Sequence, residues 1–239
     1  MITTVKNIKK EKSKYMIKNI IFDNGGVLSV PKTGHWFITP NFWNILGIEE
    51  KENIDKIKKT MKEFIYLLTQ EPKTELEEYN MFRNFYYQVL NKINYKNLNE
   101  NTINSLAWDN VYNDDKYIFF EDVNDELKKL SKEYNLYMIT DAWPSSFRVL
   151  NNKNISKYFK GIMVSSIESK TKLEGLFERF LEKNKNLIPQ ESVFIDDRKD
   201  ILDKAHQCGF KVLLMDRSEK QCDYTYTVIN KLNEIEKNI

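Results

Sequence analysis

The sequence predicts an α/β protein: a doubly wound, five-stranded parallel Rossmann-like sheet with an inserted α-helical cap domain. Three observations carry this expectation. Short apolar runs alternate with helical-period stretches through the second half of the chain, which implies parallel βαβ units. Several of these runs end on polar residues able to do chemistry: Asp23, Thr140 and the Asp196-Asp197 pair. Between the first run and the others lies a long segment, 36–110, with helical period and no convincing strand.

The first strand is read within Ile17 to Leu28, where Ile17, Ile20, Ile21 and Phe22 lead into Asp23 and then into Gly25 and Gly26. A nearly continuous apolar run is what a strand buried on both faces requires. The glycines free the backbone to turn sharply or to admit a ligand. Ser29 to Pro40 is punctuated by Pro31, Gly34 and Pro40 and reads as a loop. Ile54, Ile57, Met61, Phe64, Ile65 and Leu68 recur at helical spacing. Thr74 and Glu77 form a capping box ahead of the stripe Tyr79, Phe82, Phe85, Tyr86, Val89 and Leu90. A short helix is expected over Asn99–Trp108. Beyond Asp115, a helix through Val123, Leu127 and Leu130 is expected to end in a left-handed cap at Asn135. Strands follow at 136–140, 161–165, 193–195 and 211–215. The helices between them carry the stripe Leu173, Leu176, Phe177, Phe180 and Leu181, and then Ile201, Leu202 and Ala205, stopped by Gly209. Pro144 suits a helix start, and a closing helix is expected over 227–237. The domains expected are a core of 16–35 and 111–239, a cap of 36–110, and a flexible lysine-rich leader over 1–15.

Composition narrows the function. Of 239 residues 41% are hydrophobic and 30% charged, with a net charge of +2. That is a globular composition whose balanced charge does not demand nucleic acid or an acidic membrane. No apolar run reaches the roughly 18 residues of a membrane span. Two cysteines, Cys208 and Cys222, make no disulfide framework and lack metal-ligand spacing, so a cytoplasmic setting is expected.

Parallel strands bring their carboxyl ends to one edge, so Asp23, Thr140 and Asp196-Asp197 should meet there. Carboxylates from two strands suit a hard cation such as Mg²⁺. Thr140 adds a hydroxyl, and Lys170 or Lys172 adds positive charge. Together these describe a phosphate-handling site with Asp23 as nucleophile on phosphorus.

On those residues, from Met16 onward, the chain resembles the haloacid dehalogenase-like (HAD) superfamily, in the branch with a helical cap after the first motif. Phe22-Asp23-Asn24-Gly25-Gly26-Val27-Leu28 resembles its first motif, Ile139-Thr140 its second, Lys172 its third and Phe194-Ile195-Asp196-Asp197 its fourth. The resemblance implies a phosphatase forming an aspartyl-phosphate on Asp23. It also implies Mg²⁺ coordinated by Asp23, the Gly25 carbonyl and Asp197, with Asp196 in support, and substrate contacts from Thr140 and Lys172; Asp141 and His35 are read as further substrate contacts.

The chain departs from the family pattern in four places. Gly25 stands where phosphatases often carry a second aspartate as general acid, a function typically worth about 10²–10⁴-fold in rate. Asp141 replaces a common asparagine, Leu173 a common proline, and Arg198-Lys199-Asp200 lacks a downstream asparagine. His35, in the loop entering the cap, is a candidate substitute acid by virtue of its near-neutral titration. Trp36, Phe37, Phe42 and Trp43 are candidates for a pocket wall, and Arg83 for a contact with a charged substrate tail. His206 is read as structural. The expected partner is a small phosphorylated metabolite, with the chain a monomer or homodimer. The competing functions are a catalytically weak phosphometabolite-binding protein, a phosphomutase, and a metal-independent 2-haloacid dehalogenase.

Overall fold

The computed structural model describes residues 15–219 and 225–239. The expected leader, Tyr15 apart, and Cys222 lie outside the described residues. The central sheet has six parallel strands in the order β5-β4-β1-β6-β7-β8. These are β1 (Asn19–Phe22), β4 (Asn135–Thr140), β5 (Gly161–Val164), β6 (Ser192–Asp196), β7 (Lys211–Met215) and β8 (Val228–Ile229).

Alternation along each strand shows why both faces are covered. Ile20, Phe22, Leu136, Met138, Val193, Ile195, Leu213 and Met215 point into one buried cluster, completed by α5 (Val123–Leu130) and Ile235. Ile21, Ile139, Phe194 and Leu214 point into the other, against α8 (Leu176–Lys183) and α9 (Lys199–Gln207). A period of two with apolar residues at every position leaves no face for water.

Four sequence-based expectations change. The sheet has six strands instead of five, because Val228-Ile229 extends it where a closing helix was expected. Ile229 is fully buried beside β7, and Asp216 N–H donates to its carbonyl at 2.9 Å. The helix over this end is only α10 (Ile235–Asn238). Second, Asn135 does not cap α5. It opens β4, where its side-chain amide donates to Asn19 Oδ1 at 3.2 Å across the sheet. Third, Leu173 is exposed in a 3₁₀ turn, Lys172–Glu174, and α8 begins only after Gly175 at φ 108. Ser165 likewise leaves the strand to open α7 (Ser165–Glu168). Fourth, the segment read as a loop contains β2 (Ser29–Pro31), paired antiparallel with β3 (Tyr117–Phe119).

Between β2 and β3 stand α1 (Phe42–Leu46), α2 (Glu50–Glu63), α3 (Glu75–Lys92) and α4 (Glu100–Tyr112). They bury their own cluster, from Ile38 to Val111, apart from the two sheet clusters. Thr74 caps α3 as the capping box requires, its hydroxyl accepting from Glu77 N–H at 3.2 Å. Buried Glu78 on α3 fastens this helical unit to the sheet's carboxyl edge. Its carboxylate accepts from Ser145 N–H at 2.8 Å and Oγ–H at 2.7 Å, at the start of α6 (Ser145–Asn152). Trp143 Nε1–H also donates to Thr69 O at 2.8 Å. Among the described residues no helix is long and apolar enough to cross a membrane.

Candidate active site

β1 is the middle of the sheet, and its register with β4 and β6 sets the site. Phe22 is level with Met138 on one side and Ile195 on the other. The next residue, Asp23, therefore emerges between the ends of β4 and β6, where open α/β sheets leave a crevice. Its N–H donates to Ile195 O at 2.9 Å, so the backbone still obeys the sheet while the side chain has left it. The turn that follows is held by Leu28 and Ser29 N–H on Asn24 O and by Gly26 N–H on Ser29 O. The Gly25 carbonyl takes no part in those bonds.

Asp23, Asp196 and Asp197 each offer an oxygen, and these oxygens lie within 4.8 Å of one another. Lys172 sits among them: Nζ donates to Asp196 Oδ2 at 2.6 Å and approaches Asp23 Oδ1 at 3.1 Å. The second contact is an ion pair outside hydrogen-bond geometry, and Asp23 Oδ1 is buried with no hydrogen-bond partner. Buried polar atoms are ordinarily satisfied. An oxygen opposed by the Lys172 charge but bonded by no donor, and facing an acidic pair, is the surrounding that a cation site supplies. Three carboxylates against one ammonium leave an excess of negative charge, which a divalent cation would offset. The residues fit Mg²⁺.

The electrostatics agree. Burial alone would lower the Lys172 pKa, but Asp23, Asp196 and Asp141 outweigh it and hold the ammonium above the usual lysine range. Burial pushes the Asp196 carboxyl up against the pull of Lys172. Asp197 is pushed up by burial and further by Asp23. Asp141 keeps contact with solvent, yet the protein around it raises its carboxyl against the pull of Lys172, whose N–H donates to its Oδ1 at 2.9 Å.

Gly26 is required by space as well as by conformation. It adopts φ +75, and a Cβ there would lie 2.2 Å from Asp197 Oδ2. Gly26→Ala is expected to cost about 1–3 kcal/mol in backbone strain and to displace Asp197. Mg²⁺ titration by calorimetry and urea unfolding check this, the expected outcome being loss of both affinity and stability. Gly25 is different. A Cβ there would meet the Trp36 ring at 3.2 Å, so that indole fills the space a side chain at 25 would need.

The site lines a cavity of about 450 Å³. Its wall includes Asp23, Gly25, Thr140, Asp141, Lys172 and Asp197, so the strand-end residues named from sequence converge. Asp196 lies beneath, fully buried, with Oδ1 accepting from Arg198 N–H at 2.9 Å. Lys172 rather than exposed Lys170 is the lysine of the site. Trp36 and Phe37 form wall, whereas Phe42 and Trp43 pack in the helical cluster.

His35 is not brought to the site. Its neighbours Gly34, Trp36 and Phe37 line the cavity, but its own Nδ1 accepts from Phe37 N–H at 3.2 Å. Partial burial, then Lys58 and Lys62, lower its pKa. Arg83 ties α3 to α4 through Asn104 and Glu100. Sequence reasoning missed Phe82, Asn110, Lys116, Tyr117, Trp143 and Arg198 in the wall. Lys116 is buried, and burial lowers its pKa to about 8 although Glu78 pulls the other way. Trp143 and Arg198 closely follow the second and fourth motifs and Phe82 lies in the α3 stripe, whereas no motif marks Asn110, Lys116 and Tyr117.

Chemistry delivered strand by strand to the carboxyl edge of a parallel sheet is what doubly wound enzymes share. Within that class the comparison is specific. The family model described as haloacid dehalogenase-like hydrolase matches residues 49–215, well over half of the chain, and the chain belongs to this family. Solved structures agree in fold. The structure described as HAD-hydrolase YfnB from Bacillus subtilis bound to magnesium is 14% identical, covering 93% of this chain and 98% of that one at TM-score 0.70. L-2-haloacid dehalogenase from Xanthobacter autotrophicus is 13% identical, with the same coverage and TM-score 0.65. A HAD phosphatase from Thermococcus onnurineus is 16% identical, covering 92% and 97% at TM-score 0.62. No curated protein sequence matches the chain.

Proposed function

We propose that this hydrolase is a Mg²⁺-dependent phosphohydrolase of small phosphorylated metabolites, acting in the cytoplasm with Asp23 as nucleophile. The observation that carries the reading is the buried, unsatisfied Asp23 oxygen beside Asp197 and Lys172. An Asp23 oxygen attacks phosphorus, the O–P bond to the alcohol breaks, and the phosphoryl group rests on Asp23 until water releases it. Thr140 donates its hydroxyl to a phosphoryl oxygen. Lys172, held protonated by its carboxylate neighbours, opposes the negative charge that moves onto the phosphoryl oxygens. Asp23, the Gly25 carbonyl and Asp197 would hold Mg²⁺, with Asp196 in support, and the ion would neutralise phosphoryl charge. Residues 36–110 act as the cap, contributing Trp36, Phe37, Phe82 and Asn110 to the wall. With no carboxyl side chain at Gly25, leaving groups that depart without a proton are favoured.

Phosphate release from a panel graded by leaving-group acidity, with and without Mg²⁺, tests this reading. Mg²⁺-dependent release is the expected result. Chloride release from 2-haloacids without Mg²⁺, and no phosphate release, would replace it with dehalogenase chemistry, which the acidic pair disfavours.

Mg²⁺ binding should depend on pH in a definite direction. Asp196 and Asp197 hold protons to higher pH than ordinary carboxylates because of burial. Protons and cation compete, so affinity falls as pH drops through those raised values. Calorimetry at about pH 8 and about pH 5.5 should show weaker binding at the lower value. Equal affinity at both would contradict the assigned ligands.

A further inference from the structure

We propose that Lys116 makes the cavity selective for phosphomonoesters that also carry a carboxylate. The inference rests on the phosphohydrolase reading and adds a substrate class to it. Lys116 is buried and belongs to the same wall as Asp23 and Lys172. The two ends of that wall connect through contacts: the Trp36 ring lies against Gly25, its centroid is 5.8 Å from that of Tyr117, and Lys116 Nζ lies 5.0 Å over the Tyr117 ring.

The Lys116 ammonium is bonded only to neutral oxygens. Nζ donates to the Asn110 carbonyl and to Asn110 Oδ1, the latter at 3.0 Å. Among the described residues no carboxylate lies within ion-pair distance of it. Glu78, Asp114 and Asp109 supply attractive field and Arg148 opposes it, none of them at ion-pair distance. An ammonium has three donors, so one donor remains, and at contact distance the charge is met only by the face of the Tyr117 ring. Buried charges are normally paired.

A plain structural role is available, because Asn110 O belongs to the last turn of α4, where lysines cap helix ends. Such a cap works equally well from the surface and does not explain burial in a cavity wall. One remaining donor on a compact point charge suits a carboxylate. A second phosphate carries about −1.5 to −2 charge, more than this one ammonium offsets. Trp36, Phe37, Phe82 and Trp143 supply apolar wall for the carbon chain between the two anionic ends.

The test uses ω-carboxyalkyl phosphates of graded length, each paired with the uncharged alkyl phosphate of equal length. Wild type should favour the carboxylated member at one length by about tenfold or more in kcat/KM, the scale of one charge-assisted hydrogen bond. In Lys116→Met that ratio should collapse toward one, and Lys116→Arg should retain most of it. Calorimetric binding of the same pairs to Asp23→Asn reads the subsite without turnover. No preference at any length overturns the proposal, as does a Lys116→Met variant that slows both series alike, the mark of a structural lysine. If wild type hydrolyses neither series, because an alkoxide leaves poorly without a general acid, the phosphohydrolase reading is decided by the panel graded by leaving-group acidity. A carboxylate preference in binding to Asp23→Asn, lost when Lys116→Met is added, would then still uphold the subsite, and its absence would end it.

Discussion

Asp23→Asn should abolish phosphate release, by about 10⁴-fold or more in kcat, since removing a covalent nucleophile removes the step and leaves only binding. The fold should survive. Asp23 Oδ1 has no hydrogen bond to lose, and its ion pair with Lys172 at 3.1 Å is one side of a cluster that already holds excess negative charge. An amide in its place removes one of three crowded carboxylates while keeping shape. Stability of the metal-free variant is therefore expected to hold or rise, as it commonly does when a strained functional group is neutralised. Phosphate release and thermal unfolding, measured side by side, separate the two effects. Residual turnover within tenfold of wild type would remove Asp23 from the nucleophile's role.

Lys172→Met should cost stability as well as activity. Lys172 Nζ is the cation that Asp196 meets at 2.6 Å, and Asp196 is fully inaccessible to solvent. Removing one partner of a buried pair leaves an uncompensated charge, a loss of about 3–5 kcal/mol. The pH dependence has a definite sign. Without Lys172, the Asp196 carboxyl in the folded state is raised further, while the unfolded chain keeps its ordinary value near about 4. The penalty is then smallest near that ordinary value and grows as pH rises toward neutrality. Mg²⁺ should return part of the loss by mass action on the native state. Urea unfolding at about pH 4.5 and about pH 7.5, with and without Mg²⁺, reads all three effects. A loss under about 1 kcal/mol that ignores pH would mean that Asp196 does not depend on this lysine.

Both predictions concern residues named from sequence, and the reason is local. A strand buried on both faces needs an unbroken apolar run, so Ile20-Ile21-Phe22 and Val193-Phe194-Ile195 are recognisable without neighbours. In a parallel sheet the residue that ends such a run is delivered to one known edge. That is why Asp23, Thr140, Asp196 and Asp197 group together from their positions in the chain alone. Even the choice between Lys170 and Lys172, left open by spacing, concerned two residues in one turn.

What sequence patterns did not reveal depends on pairing between distant segments. β2 and β3 are three residues each and join the two ends of the helical insertion. A pattern so short has no period to detect, and Pro31 argued against a strand. Val228-Ile229 carried too few residues to be told from a helix start. His35 and Trp36 are adjacent in sequence, yet the backbone turns the indole onto Gly25 and leaves the imidazole bonded to Phe37. Asn110, Lys116 and Tyr117 reach the cavity only because β3 returns beside β2.

The sequence by itself thus determined five of the six strands of the sheet, the strand-end carboxylates and the Thr140 hydroxyl beside them, since apolar periodicity and a polar terminus are encoded residue by residue. Tertiary structure alone decided which lysine is buried with Asp196, that Asp23 keeps an oxygen without a hydrogen bond, that Trp36 occupies the space beside Gly25, and that Lys116 enters the wall. Each of those depends on distances between side chains that meet only after the chain has closed, and no local pattern carries a distance.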